Sequence, residues 1–242
     1  VILYLSGVTN DRIEPRLITA GIGLMCQPGN SYHLRIARYP FWAADVVGMH
    51  ASATPERGMD WVAPLSPERC LFVVSPDAYP DAVESQRRGL EYAPLIRELG
   101  FPVAVVAQDG AERLSWPWDE MDCLFIGGIE RRPGWTEWKE SMAAEGLAHA
   151  ARNAGKWVHM GRVNTRRRLR RARDMGCLSA DGTGIKYRKR RRAGEDEGQR
   201  HSRGEGELIR DLGIVDATPS LPFHRWETPS HPNHRSVGWD NG

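Results

Sequence analysis

Four aspartates, a glutamine and two glycine-bearing pairs stand where short apolar runs stop: Asp45, Asp77, Gln108-Asp109, Gly127-Gly128, Gly161-Arg162 and Asp181. These residue types suit a polar pocket. A carboxylate can take a proton, accept from N–H groups or attack an electrophilic carbon. A primary amide both donates and accepts, and paired glycines leave backbone N–H groups open to a ligand. One aspartate after a strand is often only a helix cap or a turn former. It is their joint occurrence at run ends that points to a site. Asp181, with Gly182 beside it, lies one unit after the Gly161-Arg162-Val163-Asn164 loop, and is the expected nucleophile.

A purine fits this set. Asp77 can accept from the N1–H and 2-amino group of guanine, the Gln108 amide and a Gly128 N–H can meet O6, and Met160 can offer an apolar face to the ring. A separate carboxylate is then free for C1′ of the sugar, as in retaining glycosyl transfer.

The elements that must position these residues are legible as eight continuously apolar runs, 1–6, 22–27, 41–44, 70–74, 103–107, 123–126, 157–160 and 177–180. Such runs suit strands covered on both faces, as in parallel sheets. Helical spacing is expected from Asn10 or Asp11 to Gly21, over 82–99 (Val83, Leu90, Ala93, Leu95, Ile96 and Leu99, with Pro94 a source of strain or a kink), over 135–154, and over 166–175 with Asn164 or Thr165 as cap and Gly176 in the left-handed position after it. Residues 32–39 make a poor helix. Residues 50–68 read as irregular, anchored by Trp61. Alternation of strands and helices predicts an α/β fold, a (β/α)8 TIM barrel of parallel strands over residues 1–185, with an open doubly wound sheet as the rival. In either fold the polar residues share the rim at the strands' C-terminal ends. Residues 186–242 are charged and rich in Pro, Gly and His, and read as a loosely ordered tail.

The net charge is only +2, but it is unevenly spread. Arg162, Arg166, Arg167, Arg168, Arg170, Arg171 and Arg173 lie on or beside one helix with only Asp174 near them in sequence, and residues 186–192, with Lys189 and Arg190, add a second basic patch. A solvated helix face is the ordinary explanation. A polynucleotide backbone is the alternative, and the target base would then leave its stack to reach the pocket. Cys26, Cys70, Cys123 and Cys177 form no CxxC pair and read as reduced core thiols. With no signal peptide and no run approaching a membrane span of about 20 residues, a cytoplasmic protein with no membrane partner is expected.

The order of the motifs FWAAD (41–45), CLFVVSPDAYPDA (70–82), PVAVVAQDG (102–110), CLFIGG (123–128), TEWK (136–139) and WVHMGRVN with GCLSADGT (157–183) resembles the tRNA-guanine transglycosylase superfamily. The likeness is greatest to its short phage and bacterial relatives that modify DNA guanine. The resemblance covers about two thirds of the chain. It implies a pentosyltransferase that replaces guanine in a polynucleotide, DNA rather than tRNA, with a 7-deazapurine such as preQ0 through a covalent aspartyl-glycosyl intermediate. By resemblance Asp181 is the nucleophile and Asp45 the general acid/base. Asp77, Gln108, Gly127 and Gly128 recognise the base, Met160 and Gly161 line the pocket, and a partner subunit is possible. The sequence departs from the family after Asp45 (Val46-Val47-Gly48) and at 130–135, and lacks the three-Cys, one-His zinc spacing. The histidines at 201, 224, 231 and 234 have no partner cysteines, so no metal and no cofactor are expected. A tRNA enzyme or hydrolytic glycosylase on the same fold, and an inactive barrel that binds nucleic acid, are the other readings.

Overall fold

A computed structural model describes residues 3–7, 11, 14–29, 32–46, 54–128 and 137–183. Strands β1 (Leu3–Ser6), β2 (Gly23–Cys26), β3 (Trp42–Asp45), β4 (Cys70–Val74), β5 (Val103–Ala107), β6 (Cys123–Ile126), β7 (Trp157–Met160) and β8 (Ser179–Gly182) pair in chain order. Every pairing is parallel. The last strand returns to the first, with Leu3 opposite Ser179 and Leu5 opposite Asp181, so the sheet closes into a (β/α)8 barrel and the open doubly wound alternative is excluded.

Helices α1 (Glu14–Thr19), α2 (Pro55–Val62), α3 (Ala82–Glu98), α4 (Met142–Asn153) and α5 (Arg166–Asp174) surround it, and a 3-10 turn over Tyr32–Arg38 connects β2 to β3. Because successive strand residues face opposite ways, each run feeds two cores. Leu5, Met25, Ala43, Phe72, Val74, Ala104, Val106 and Cys123 fill the barrel interior. Leu24, Trp42, Ala44, Val73, Val105, Ala107, Leu124, Ile126, Val158, Met160 and Ala180 pack outward with helix residues such as Ile96, Leu147 and Leu169. Each large apolar side chain so buried contributes about 1.5–3 kcal/mol.

The helix ends follow the sequence signals. The Thr165 hydroxyl accepts from Arg168 N–H at the start of α5, Asp81 caps α3 through Glu84 N–H, and Gly176 has φ +80°. Differences from expectation have local causes. Residues 50–68 are not wholly irregular, since Thr54 caps α2 and Pro55 opens it, a start signal that needs no apolar stripe. At Gly58 a Cβ would lie 2.1 Å from Val46 O, so α2 presses on the chain just past Asp45. Helix α3 runs through Pro94, which lies on the exposed side, while Val83 and Leu95 face solvent and Ser85, Gly89, Ala93 and Ile96 face the barrel. The segment 135–154 divides into a 3-10 turn, Trp138–Glu140, and α4, with the Ser141 hydroxyl capping α4.

All four cysteines are free and buried, and burial pushes Cys26 and Cys177 up to about 12, which leaves inert core thiols. No helix among the described residues is long and apolar enough to cross a membrane.

Candidate active site at the C-terminal mouth

The strand periodicity that fills the interior also selects what reaches the mouth. Asp45 continues the inward row of Ala43, Gln108 that of Val106, Gly127 that of Phe125, Gly161 that of His159, and Asp181 that of Ser179. Met160 falls on the other row. It is fully buried in the outer core, and His159 is the inward residue of that strand end.

Asp181 is held by a directed chain of donors. Trp157 Nε1–H donates to Ser179 Oγ at 2.7 Å, Ser179 Oγ lies 2.8 Å from His159 Nδ1, and His159 Nε2 lies 3.1 Å from Asp181 Oδ1. A carboxylate only accepts, so Nε2 carries the proton toward Asp181, while Nδ1 meets the Ser179 hydroxyl. Arg162 N–H also donates to Asp181 Oδ1, at 3.3 Å. Both donors sit on one oxygen. Oδ2 makes no hydrogen bond among the described residues, and the side chain is 15% exposed. One oxygen of the carboxylate is fixed and the other is presented.

Asp77 is built differently. Its Oδ2 accepts from Gln108 Nε2 at 2.7 Å, and Gln108 Oε1 accepts from Gly128 N–H at 2.9 Å. The sequence suggests that the Gln108 amide and the Gly128 N–H meet a ligand. In the fold they meet each other, and Gln108, 2% exposed, fixes Asp77. Burial pushes the Asp77 carboxyl above its ordinary range, against the opposing pull of the Gln108 hydrogen bond and the charges of Arg162 and Arg88. Arg162 therefore serves both aspartates, its backbone N–H on Asp181 and its guanidinium near Asp77, 5.7 Å above the Tyr79 ring. Its φ of +57° is unusual for a residue with a side chain and costs about 1–3 kcal/mol.

Gly161 leaves room at this point, since a Cβ there would lie 2.6 Å from the Phe125 ring and 3.4 Å from Asp181 Oδ1. Gly127 packs against Gln108 Oε1, 3.2 Å from its would-be Cβ. Asp45 stands on the same rim, where Gln27 Nε2 donates to its Oδ2 at 3.3 Å.

A raised carboxyl makes a sign prediction. Between its ordinary value of 3.8 and the higher folded value, the native state binds more protons than the unfolded chain. That favourable contribution is present below 3.8 and is lost as pH rises through the folded value. Asp77→Asn keeps an acceptor for Gln108 and removes a group whose ionisation burial disfavours. The variant should melt higher than the parent at pH 7, and the difference should vanish near pH 3.5. Thermal melts at both pH values measure it. An equal or lower melting temperature at pH 7 would refute it.

The arginines of α5 meet acids that the sequence places far away. Arg167 pairs with Glu140 at 2.8 Å, Arg168 with Glu137, and Arg171 with Glu145 at 2.9 Å. Arg170 is exposed, and Arg166 is half-buried. Lys189 and Arg190 lie outside the described residues, as do the tail histidines, residues 130–135 and Val47-Gly48. No group of three or more His, Cys, Asp or Glu able to hold a metal is found among the described residues. His159, Ser179, Trp157, Lys139 and Glu137 are the site residues that the sequence reading misses. A histidine inside an otherwise apolar strand, in the same inward parity as Asp181, is the signal that could have found the first.

The fold and site define a (β/α)8 barrel with a carboxylate-lined mouth at its C-terminal rim. No protein-family model matches the chain, and no curated protein matches it at a significant level. Among solved structures it is similar to the YdjI aldolase from Escherichia coli K12, at 12% identity over 89% of this chain and 91% of that one, with a TM-score of 0.53. It is also similar to a structure described as native KDPGal, at 16% identity over 89% and 96% with a TM-score of 0.48. A third is the N-acetylmannosamine-6-phosphate 2-epimerase from Clostridium perfringens, at 14% identity over 75% and 85% with a TM-score of 0.47. At these identities the likeness is one of fold.

These findings correct the family assignment made from motif order. The solved barrel that is similar at a TM-score above 0.5 is named as an aldolase, and no protein-family model matches the chain. The guanine-for-7-deazapurine exchange, the pentosyltransferase class and the link to DNA modification drawn from that resemblance fall with it. The physical reason is that the motifs are short apolar strands followed by Asp, Gln or Gly. A parallel barrel of any function places such residues at its C-terminal rim.

Proposed function

We propose that the chain is an acid–base enzyme of the lyase or isomerase kind, acting on a small polar substrate that carries a carbonyl group. Asp181 Oδ2 takes the proton from the carbon next to the carbonyl. The C–H electron pair forms the new C=C bond, and the carbonyl oxygen takes a proton from the Asp77 carboxyl, giving an enol. Return of a proton to carbon completes an isomerisation. In a lyase reaction Asp181 Oδ2 instead takes the proton of a hydroxyl β to the carbonyl, and the O–H pair forms a new C=O bond. The Cα–Cβ bond breaks, and its pair forms the C=C of the enol, whose oxygen takes the acid's proton. Burial favours the protonated form of Asp77, which suits it to the acid's role. Asp45, Gly127 and Gly161 complete the mouth, and Gln108 with Gly128 positions the acid.

The observation that carries this reading is the donor chain ending on Asp181 Oδ1, with Oδ2 unbonded among the described residues. The fold likeness to the YdjI aldolase is compatible with it. A small substrate is favoured over a polynucleotide because Arg167, Arg168 and Arg171 are already paired with glutamates. Four buried free thiols fit a cytoplasmic setting.

The test is a panel of keto acids, hydroxy acids and sugar phosphates incubated with the protein in D2O and read by mass spectrometry. Enzyme-dependent deuterium uptake or cleavage of at least one member is expected. An inert panel contradicts the reading.

A further inference from the structure

One ionic cluster lies directly behind the mouth. Glu137, buried, pairs with both Arg168 and Lys139, the latter at 3.7 Å, and Lys139 is only 1% exposed. The two cations reach past Glu137 to adjacent carbonyls: Lys139 Nζ donates to Gly161 O and Arg168 Nη1 to Arg162 O, each at 3.3 Å. Within the loop Asn164 N–H also donates to Arg162 O at 3.1 Å, and further bonds run to the barrel. Gly161 N–H donates to Ile126 O, Val163 N–H to Asp181 O and Tyr4 Oη–H to Val163 O. The residue between the two held carbonyls' amides is Arg162, whose φ of +57° turns its N–H onto Asp181 Oδ1.

We infer that Glu137, Lys139 and Arg168 are positioning residues that hold Arg162 in its left-handed conformation, and so aim Asp181. The inference rests on the role given above to Asp181 but concerns the geometry alone. Left-handed backbone at an arginine persists only when its surroundings over-determine it. Two cations on consecutive carbonyls, themselves fixed by one carboxylate, do so. The cluster also ties the segment after β6 to α5, so the aim of Asp181 depends on a contact far away in sequence.

The test is amide hydrogen exchange by NMR on the full chain, comparing the parent with Lys139→Met and with Arg168→Met. Loss of either cation should speed exchange at the Arg162 amide by about tenfold or more relative to core amides of β5, which report global stability. It should also shift the His159 Nε2–H resonance. Two variants are used because one may unfold: Lys139→Gln replaces Lys139→Met in that event. Unchanged Arg162 protection beside a lowered melting temperature would overturn the inference and leave the cluster as a support for α5 alone. The outcome is separable from that of the enzyme reading. An inert substrate panel leaves the amide response standing, whereas an active panel with an indifferent amide removes only the positioning role.

Discussion

Asp181→Asn should lower deuterium uptake on any active substrate by about a thousandfold, the usual scale for loss of a general base. It should leave the fold nearly unchanged. An asparagine can keep its oxygen at the Oδ1 position, accepting from His159 Nε2–H and Arg162 N–H, and its amide nitrogen then occupies the presented position. That nitrogen has no basic lone pair. The melting temperature should therefore move by no more than about 3 °C, the scale of a change below 1 kcal/mol in a chain of this size. Exchange that persists in the variant would remove Asp181 from the chemistry. A collapse of stability without a catalytic effect would make it a structural acceptor for His159.

The second large effect is on the fold. Gly182 follows Asp181 on β8, and a Cβ there would lie 2.5 Å from Tyr4 Oη, 2.6 Å from Asn164 Oδ1 and 2.8 Å from Val163 O. None can retreat freely. Tyr4 Oη is buried and donates to Val163 O, and Asn164 Oδ1 accepts from Thr183 N–H at 2.8 Å. Gly182→Ala must push the loop after β7 away from β8, at a cost of about 2–3 kcal/mol, the scale of overpacking in a filled core. In thermal denaturation this reads as a fall of about 5–10 °C. Because the same loop carries Arg162, the variant should also lose substrate turnover. An unchanged melting temperature would show that the loop can yield, contrary to its dense hydrogen bonding.

The barrel is legible in the sequence because its signals are local. Runs such as 103–107 and 123–126 become β5 and β6 with the same limits, and Gly176 and Thr165 mark the ends of α5 through their own backbone and side-chain chemistry. The rim is legible for the same reason, since Asp45 and Asp181 lie near the ends of strands, and Gln108 just past one, whose parity fixes their direction. What the sequence conceals is partnership. Gln108 bonds Asp77 and Gly128, and α5's arginines are met by Glu137, Glu140 and Glu145, 26 or more positions away. Only the packing of neighbouring strand–helix units brings these groups together, so no window of sequence reports the pairing. Motif order misleads for a related reason: the strand-then-acid pattern belongs to the architecture before it belongs to any one chemistry.

The most direct test is nitrogen NMR of His159 in protein labelled at histidine, compared with Asp181→Ala. The account predicts a ring protonated at Nε2, with that proton shifted downfield by its bond to Asp181 and relaxed in the variant. A ring with no proton on Nε2, or one whose Nε2–H does not respond to loss of the Asp181 carboxylate, would contradict the claim that a donor from the barrel core fixes and presents Asp181.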